Sequence, residues 1–419
     1  MEKKLKHFFK KRKKKLILIA PYFYPRNYGG AVKIYDFLMD SLKGFKGIIL
    51  TETQDSDPVK LREHNKFVKN NKNYDIIRYS ELIFHTKDST FFQRFIHLYL
   101  YLTNVIVSFI KLLKQNNVEV VICGDTFETG WLMSLVPKSI AKINYIHGEE
   151  LTQETTHGPV RKLLRFFQSQ AIKNADLNIV VSSFTKKKVR EKTNIKDNRI
   201  KVLPNFVDTK RFYPSKNNKL RKKLHCNNKL ILLTIARLIP RKGIDQAIKA
   251  LARINKEEKN LPNWIYLIGG KGPEEENLKN LVVKNQLTDF VKFLGYVPDE
   301  LLAEYYNTAD IFIMTNREIE GDTEGFGIVF LEANACGTPV IGGIAGGTRD
   351  AIQDDVTGYR IDSNDIDVLS NTIIKLMKNK KLRETMGRAG FENVNQYHSQ
   401  EKRAQKFEKL IKNISKNKK

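Results

Sequence analysis

The sequence predicts an α/β chain built as two doubly wound, Rossmann-like domains. Three observations lead there. Short apolar runs alternate with helical patterns along nearly the whole chain, as in parallel sheets built from βα units. Its 419 residues are too many for one ordinary core and suit two domains of near 200. The alternation breaks between Thr209 and Lys219, where Pro214 and a polar Ser-Lys-Asn-Asn run interrupt it.

Taken in order, the apolar runs at 16–20, 48–50, 75–78, 118–123, 143–147, 177–181 and 200–203 predict the strands of the first half. Those at 230–236, 264–269, 291–294, 311–314 and 339–341 predict the second set. Leu16–Ala20 follows a basic run but is only five residues long before Pro21. That is short of a signal-peptide core and no small-residue cleavage pattern follows, so it reads as the first buried strand. Phe91–Leu113 is the longest hydrophobic segment, interrupted by Gln93, Arg94, His97, Thr103, Asn104, Ser108 and Lys111. It is too polar for a membrane span. A buried helix is expected, with an amphipathic helix lying on lipid as the alternative. A last helix over 400–414 repeats apolar residues at Ala404, Phe407, Leu410 and Ile411, one face to bury.

Hydrophobic residues at 41% and charged residues at 28% describe a globular chain. Cys123, Cys226 and Cys336 are far apart, which excludes a thiolate zinc site and fits a reducing cytosol. The formal net charge is +27; residues 1–15 hold nine Lys or Arg against one Glu, and residues 401–419 eight against two. Such termini suit an anionic membrane surface, here the inner face of the plasma membrane. Nucleic acid is not expected, because no recognition motif accompanies the charge.

The densest signal is Glu324-Gly-Phe326-Gly327-Ile328-Val-Phe-Leu-Glu332, followed by Gly337-Thr-Pro-Val340 and Gly346-Gly347. Eight residues return to nearly the same helix face, so a helix starting near Gly327 would present both acids together. A glycine turn opening a helix offers free amides to an anion such as a diphosphate. Acids for sugar hydroxyls beside amides for phosphates describe a nucleotide-sugar site. Arg237 and Lys242, five residues apart after the run at 230–236, can clamp a diphosphate. His147 ends a strand, where it can donate to a sugar hydroxyl or a leaving group. Gly29-Gly30, after Pro21-Tyr-Phe-Tyr-Pro25, allows close approach of backbone to ligand.

The Glu-x7-Glu pattern enclosing Gly-Phe-Gly, together with Ile235-Ala-Arg237-Leu-Ile-Pro-Arg-Lys242-Gly243 and Ile268-Gly-Gly270-Lys-Gly-Pro273, resembles the retaining glycosyltransferases of family 4. The motifs run in family order from Pro21 to about Tyr397. The resemblance implies the GT-B fold, two Rossmann-like domains facing across a cleft with the C-terminal helix crossing back. The implied division is 1–212 with 395–419, and 213–394. It further implies that Arg237 and Lys242 stabilise the leaving diphosphate and that His147 contacts the transferred sugar. Glu324 would bind sugar hydroxyls, Gly325–Ile328 would line the pocket, and Glu332 would take the ribose hydroxyls. Gly29, Gly30 and Gly270 would border the donor. Asn205 and Asp208 match a motif near the hinge.

The implied co-substrate is a UDP- or GDP-linked sugar, with no cofactor and no metal. The implied acceptor is a lipid-linked or cell-envelope glycan. Asp55-Ser56-Asp57 matches only loosely the metal-binding Asp-x-Asp of the other major glycosyltransferase fold and reads as a polar loop. Two departures stand out: Gly346-Gly-Thr-Arg-Asp350 ends in Asp where Glu is common, and Asn316–Thr323 adds charge before Glu324. No side chain stands out as a nucleophile, so retention would proceed by front-face attack. A nucleotide-sugar epimerase, a phosphorylase-like enzyme or a non-catalytic membrane- or nucleic-acid-binding relative are the competing readings on this fold.

Overall fold

The computed structural model describes residues 13–25, 29–53, 57–79, 91–115, 117–152, 158–215 and 219–418. The basic run before Lys13, and Asp55 and Ser56, lie outside the described residues; Asp57 caps the helix that follows, accepting from the amides of Val59 and Lys60.

The first sheet comprises β1 (Lys14–Ile19), β2 (Phe45–Glu52), β3 (Tyr74–Tyr79), β4 (Val118–Cys123), β5 (Ala141–Ile146), β6 (Leu177–Val180) and β7 (Ile200–Val202). The second comprises β8 (Leu230–Ile235), β9 (Trp264–Gly269), β10 (Val291–Gly295), β11 (Ile311–Met314), β12 (Val340–Gly343) and β13 (Gly358–Ile361). Their orders are β3-β2-β1-β4-β5-β6-β7 and β10-β9-β8-β11-β12-β13. All pairings are parallel, with Ile19 opposite both Leu50 and Cys123 in the first sheet and Ile235 opposite Gly269 in the second.

Each chain half starts mid-sheet and builds outward, first one way and then the other. The crevice where direction reverses lies at the carboxyl ends of β1 and β4, and again of β8 and β11. Strand residues on both faces are buried, Leu16 to Ile19 consecutively, as required when helices cover a sheet on both sides. The four-residue edge strand β13 escaped the sequence reading, since Gly358-Tyr-Arg-Ile361 carries an arginine and no alternation.

The helices that position the site are α1 (Gly30–Ser41), α2 (Pro58–Asn71), α3 (Phe91–Leu113), α4 (Gly158–Asn174), α5 (Ser183–Thr193), α6 (Ile244–Glu257), α7 (Ile328–Ala335) and α8 (Gln400–Lys416). α3 corrects the expectation of a buried helix: Val105, Phe109 and Leu112 pack on the sheet, but Tyr99, Leu100 and Val107 face outward. No helix among the described residues is long and apolar enough to cross a membrane.

α8 returns to the first domain. Phe407 packs edge-on to Tyr145 of β5, ring centroids 6.1 Å apart, and Glu408 accepts from the Gly44 amide at 2.7 Å. Asn205 and Asp208 serve this return. The Asn205 carbonyl meets His398 Nδ1 at 3.1 Å, and Asp208 accepts from Gln400 at 2.9 Å. Phe407→Ala is expected to cost about 3–5 kcal/mol, the usual range for emptying a buried aromatic site. A urea titration followed by tryptophan fluorescence and circular dichroism would show it as a lowered midpoint.

Candidate active site

The ends of β1, β4, β5 and β8 enclose a cavity of about 420 Å³. Its lining includes Gly29, Gly30, Tyr35, His147 and Glu149 from the first domain and Arg237 from the second. Gly29 caps α1 with ordinary extended angles, so its value is space rather than a special dihedral. A Cβ on Gly30 would stand 3.8 Å from Ile328, so the first turn of α1 meets the first turn of α7 across the domain boundary.

His147 sits on Tyr35, its Nε2 2.9 Å from the phenol oxygen. Tyr35 lies 2.7 Å from the Gly124 carbonyl, to which it donates its one proton. The imidazole therefore gives Nε2–H to Tyr35 and keeps Nδ1 as an acceptor. Burial lowers its pKa to about 4, so it is neutral at ordinary pH. In this arrangement Nδ1 can receive a sugar hydroxyl.

Beside the cavity lies a buried ionic knot. Lys242 and Arg241 both pair with Oε2 of Glu324, Arg241 Nη1 at 3.0 Å. Arg241 also reaches Asp322 at 3.1 Å and, across the domain boundary, Glu149 at 2.6 Å. Burial alone would raise the Glu324 carboxyl, but the two cations hold it down at about 2. Among the described residues none donates to its Oε1, which leaves that oxygen for a ligand hydroxyl. The charged insert before Glu324 makes a tight turn, Ile319 and Asp322 exchanging backbone hydrogen bonds, that delivers Asp322 to Arg241.

The two acids do not share a helix face as expected. α7 begins at Ile328, so Glu324 belongs to the preceding loop while Glu332 lies within the helix. Glu332 instead accepts from buried Tyr306 at 2.8 Å, and burial raises its pKa against the opposing charge of Lys33. Gly325 has no room for a side chain: a Cβ would fall 2.2 Å from the His147 carbonyl. Its own carbonyl accepts from Ser182 at 2.8 Å. Gly327 has φ +87°, a left-handed value suited to glycine at the start of α7. Phe326 is buried in the core. Gly270 packs against Ala236, where a Cβ would lie 1.8 Å from a carbonyl oxygen, and it is outside the cavity lining. Asp350 accepts from the Ser183 amide and hydroxyl at 2.9 and 2.6 Å, a second link between domains.

The structure thus gathers Gly29, Gly30, His147 and Arg237 around the cavity, with Lys242 and Glu324 locked together next to it. Sequence reasoning missed Arg241, although it adjoins Lys242, and it missed the acids of the first domain. Asp125 follows β4 and accepts from the amides of Phe127 and Glu128 at 2.9 and 3.0 Å. Glu150 accepts from the His147 and Gly148 amides at 3.0 and 2.8 Å. Burial, then the Asp125 charge, pushes Glu150 up to about 8 and Glu128 up to about 7. The available signal was position, since all lie just after strand ends.

Two parallel sheets facing across a cleft, with the last helix returned to the first domain, define a GT-B glycosyltransferase fold. The profile described as Glycosyl transferases group 1 matches residues 215–393, and that described as Glycosyltransferase Family 4 matches 72–211. A GDP-mannose-dependent alpha-(1-6)-phosphatidylinositol monomannoside mannosyltransferase of Mycobacterium tuberculosis is 31% identical over 287 residues, 65% of this chain and 72% of that one. The protein of the same description from Mycolicibacterium smegmatis is 33% identical over 192 residues, 45% of this chain and half of that one. The solved sucrose-phosphate synthase of Thermosynechococcus elongatus superposes with a TM-score of 0.77 at 21% identity, over 96% of this chain and 99% of that one. The chain belongs to the group 1, family 4 glycosyltransferases.

Gly325→Ala should strain the domain contact by about 1–3 kcal/mol, roughly 5- to 150-fold in transfer rate, and lower the unfolding free energy by up to the same amount. Initial rates and a denaturation curve on the same preparation check it. A second expectation concerns pH. His147 ionises at about 4 folded against 6.5 ordinarily, so its contribution to stability is full above 6.5 and is lost as pH falls toward 4. His147→Asn should flatten that loss by on the order of 2 kcal/mol near pH 4.5, read from denaturation midpoints across pH.

Proposed function

We propose that this chain transfers a hexose-type sugar from a nucleoside diphosphate to a hydroxyl of a lipid-linked or envelope glycan, with retention and without a metal. The observation that carries the reading is the pairing of Lys242 with Glu324 beside a two-domain cavity that contains Arg237. An incoming diphosphate competes for Lys242 and is met by Arg237, whose planar fork suits phosphate oxygens. Negative charge grows on that diphosphate as the sugar departs, so both cations favour departure more than binding. Glu324, released from Lys242, turns to the sugar hydroxyls, and His147 Nδ1 receives another. The acceptor hydroxyl approaches from the side the diphosphate leaves, which requires no protein nucleophile. The mannosyltransferases described above make GDP-mannose the first donor to try.

Two features favour an acceptor held at a membrane. Leu100 and Val107 of α3, and Leu163 and Phe166 of α4, are exposed large apolar residues. α4 also borders the cavity, Arg165 lying 4.5 Å above the ring of Phe127 in its lining. With a net charge of +27, such a face suits an anionic bilayer.

GDP-, UDP- and ADP-sugars should be screened by thermal shift and slow hydrolysis, each with and without EDTA. One donor is expected to stabilise the protein and to turn over in EDTA. Lys242→Ala and Glu324→Ala should each lower kcat/KM by about 10²–10³-fold. Absence of any nucleotide-sugar binding would overturn the transfer reading, and loss of turnover in EDTA its metal independence. Cosedimentation with anionic vesicles should fall in Leu163→Asp/Phe166→Asp; unchanged sedimentation would move the lipid contact elsewhere.

A further inference from the structure

We propose that Arg241 is a positioning residue that couples closure of the two domains to the placement of Glu324. The inference rests on the transfer reading and concerns a residue that reading does not use. Arg241 is only 4% exposed, yet its guanidinium contacts three carboxylates in three directions. Asp322 and Glu324 come from its own domain. Glu149 comes from the other, two residues beyond His147, and its carboxylate is half exposed and lines the cavity. The guanidinium is planar, and its Nη1 and Nη2 hydrogen bonds to Glu324 and Glu149 fix its plane, while Asp322 beside Nε supplies charge alone. Opening the cleft removes Glu149 and leaves only the two partners on one side.

The consequence lies in the exchange of ion pairs at Glu324. Lys242 and Arg241 share the same oxygen of that carboxylate. When a donor diphosphate draws Lys242 away, Arg241 is the cation that remains to hold Glu324 charged and aimed. It can hold that aim only while Glu149 completes its shell, and therefore only in the closed molecule. Gly325, pressed against the His147 carbonyl, brings the two segments together at the same place. A donor bound to the open form would meet a Glu324 that is not yet aligned, which limits transfer to water.

The test uses Glu149→Gln in the full chain, because this side chain is partly exposed and the Arg241 contacts to Asp322 and Glu324 within its own domain stay available. Donor affinity by calorimetry is expected to stay within about twofold. Transfer kcat should fall about fivefold, the upper end of what a half-exposed charge pair contributes. The ratio of donor hydrolysis to transfer should rise. Arg241→Lys, which also disturbs the contacts to Asp322 and Glu324, should show the same signature more strongly, and adding Glu149→Gln to it should bring no further loss, since Glu149 acts only through Arg241. Unchanged kcat and an unchanged hydrolysis ratio in Glu149→Gln would overturn the proposal. A loss of donor affinity equal to the loss of kcat would also overturn it, making Glu149 a donor-binding group. A wild-type protein that binds no nucleotide sugar would instead defeat the transfer reading itself.

Discussion

An almost fully buried guanidinium needs compensation from every direction, and Arg241 at the domain boundary imposes that need on its neighbours. A charge out of water costs several kcal/mol unless paired and hydrogen-bonded. Here the pairing is supplied by Asp322, Glu324 and Glu149, and each draws its own segment into place. The turn before Glu324 exists in a form that brings Asp322 inward. The turn after β5 is drawn across the cleft. Around this cluster the glycines at 325 and 347 keep the backbones close enough for the contact to form, since side chains there would meet carbonyl oxygens at 2.2 and 2.0 Å.

The sheets supply the frame. Parallel strands with both faces covered are open to a ligand at their ends, and doubly wound order brings the ends of β1 and β4, and of β8 and β11, to one crevice. The arrangement divides labour between the two faces of the cleft. The second domain contributes the cations Arg237, Arg241 and Lys242, which suit an anionic leaving group. The first contributes the carboxyls Glu128 and Glu150, pushed up to about 7 and about 8 by burial and the Asp125 charge, and Asp125, itself raised by burial. A further bridge, Arg211 with Asp299 at 2.6 Å and Lys33 on the same carboxylate, ties the first helix to the second domain away from the cavity.

Much of this was legible in the sequence. Twelve of the strands announced themselves as apolar runs, because a strand buried on both faces has little freedom in composition. β13 did not, because an edge strand can tolerate Arg360. Arg237, Lys242, Glu324 and the glycines were singled out from motif order, and of these Arg237, Gly29 and Gly30 line the cavity. The geometry of the acids was not legible: spacing suggested one helix face for Glu324 and Glu332, whereas Gly327 turns the chain between them and sends one acid to Arg241 and Lys242 and the other to Tyr306. Arg241 went unnoticed for a related reason. A basic residue beside another basic residue reads as a solvated turn, and one of its three partners, Glu149, lies in the other domain. Period and propensity carry no information about such cross-domain partners.

The returning helix α8 has a consequence for how the molecule is made. Its Glu408 closes on Gly44, 364 residues earlier, and its Phe407 completes the packing beside Tyr145. During synthesis the first domain emerges well before the segment that finishes it, and its apolar floor stays open while the whole second domain is translated. The nascent chain therefore carries an uncovered surface on its earlier half until the last turns of helix leave the ribosome. The second half is therefore completed before the first, and a chain stalled before residue 400 would hold an unfinished first domain, a natural target for chaperones or proteolysis.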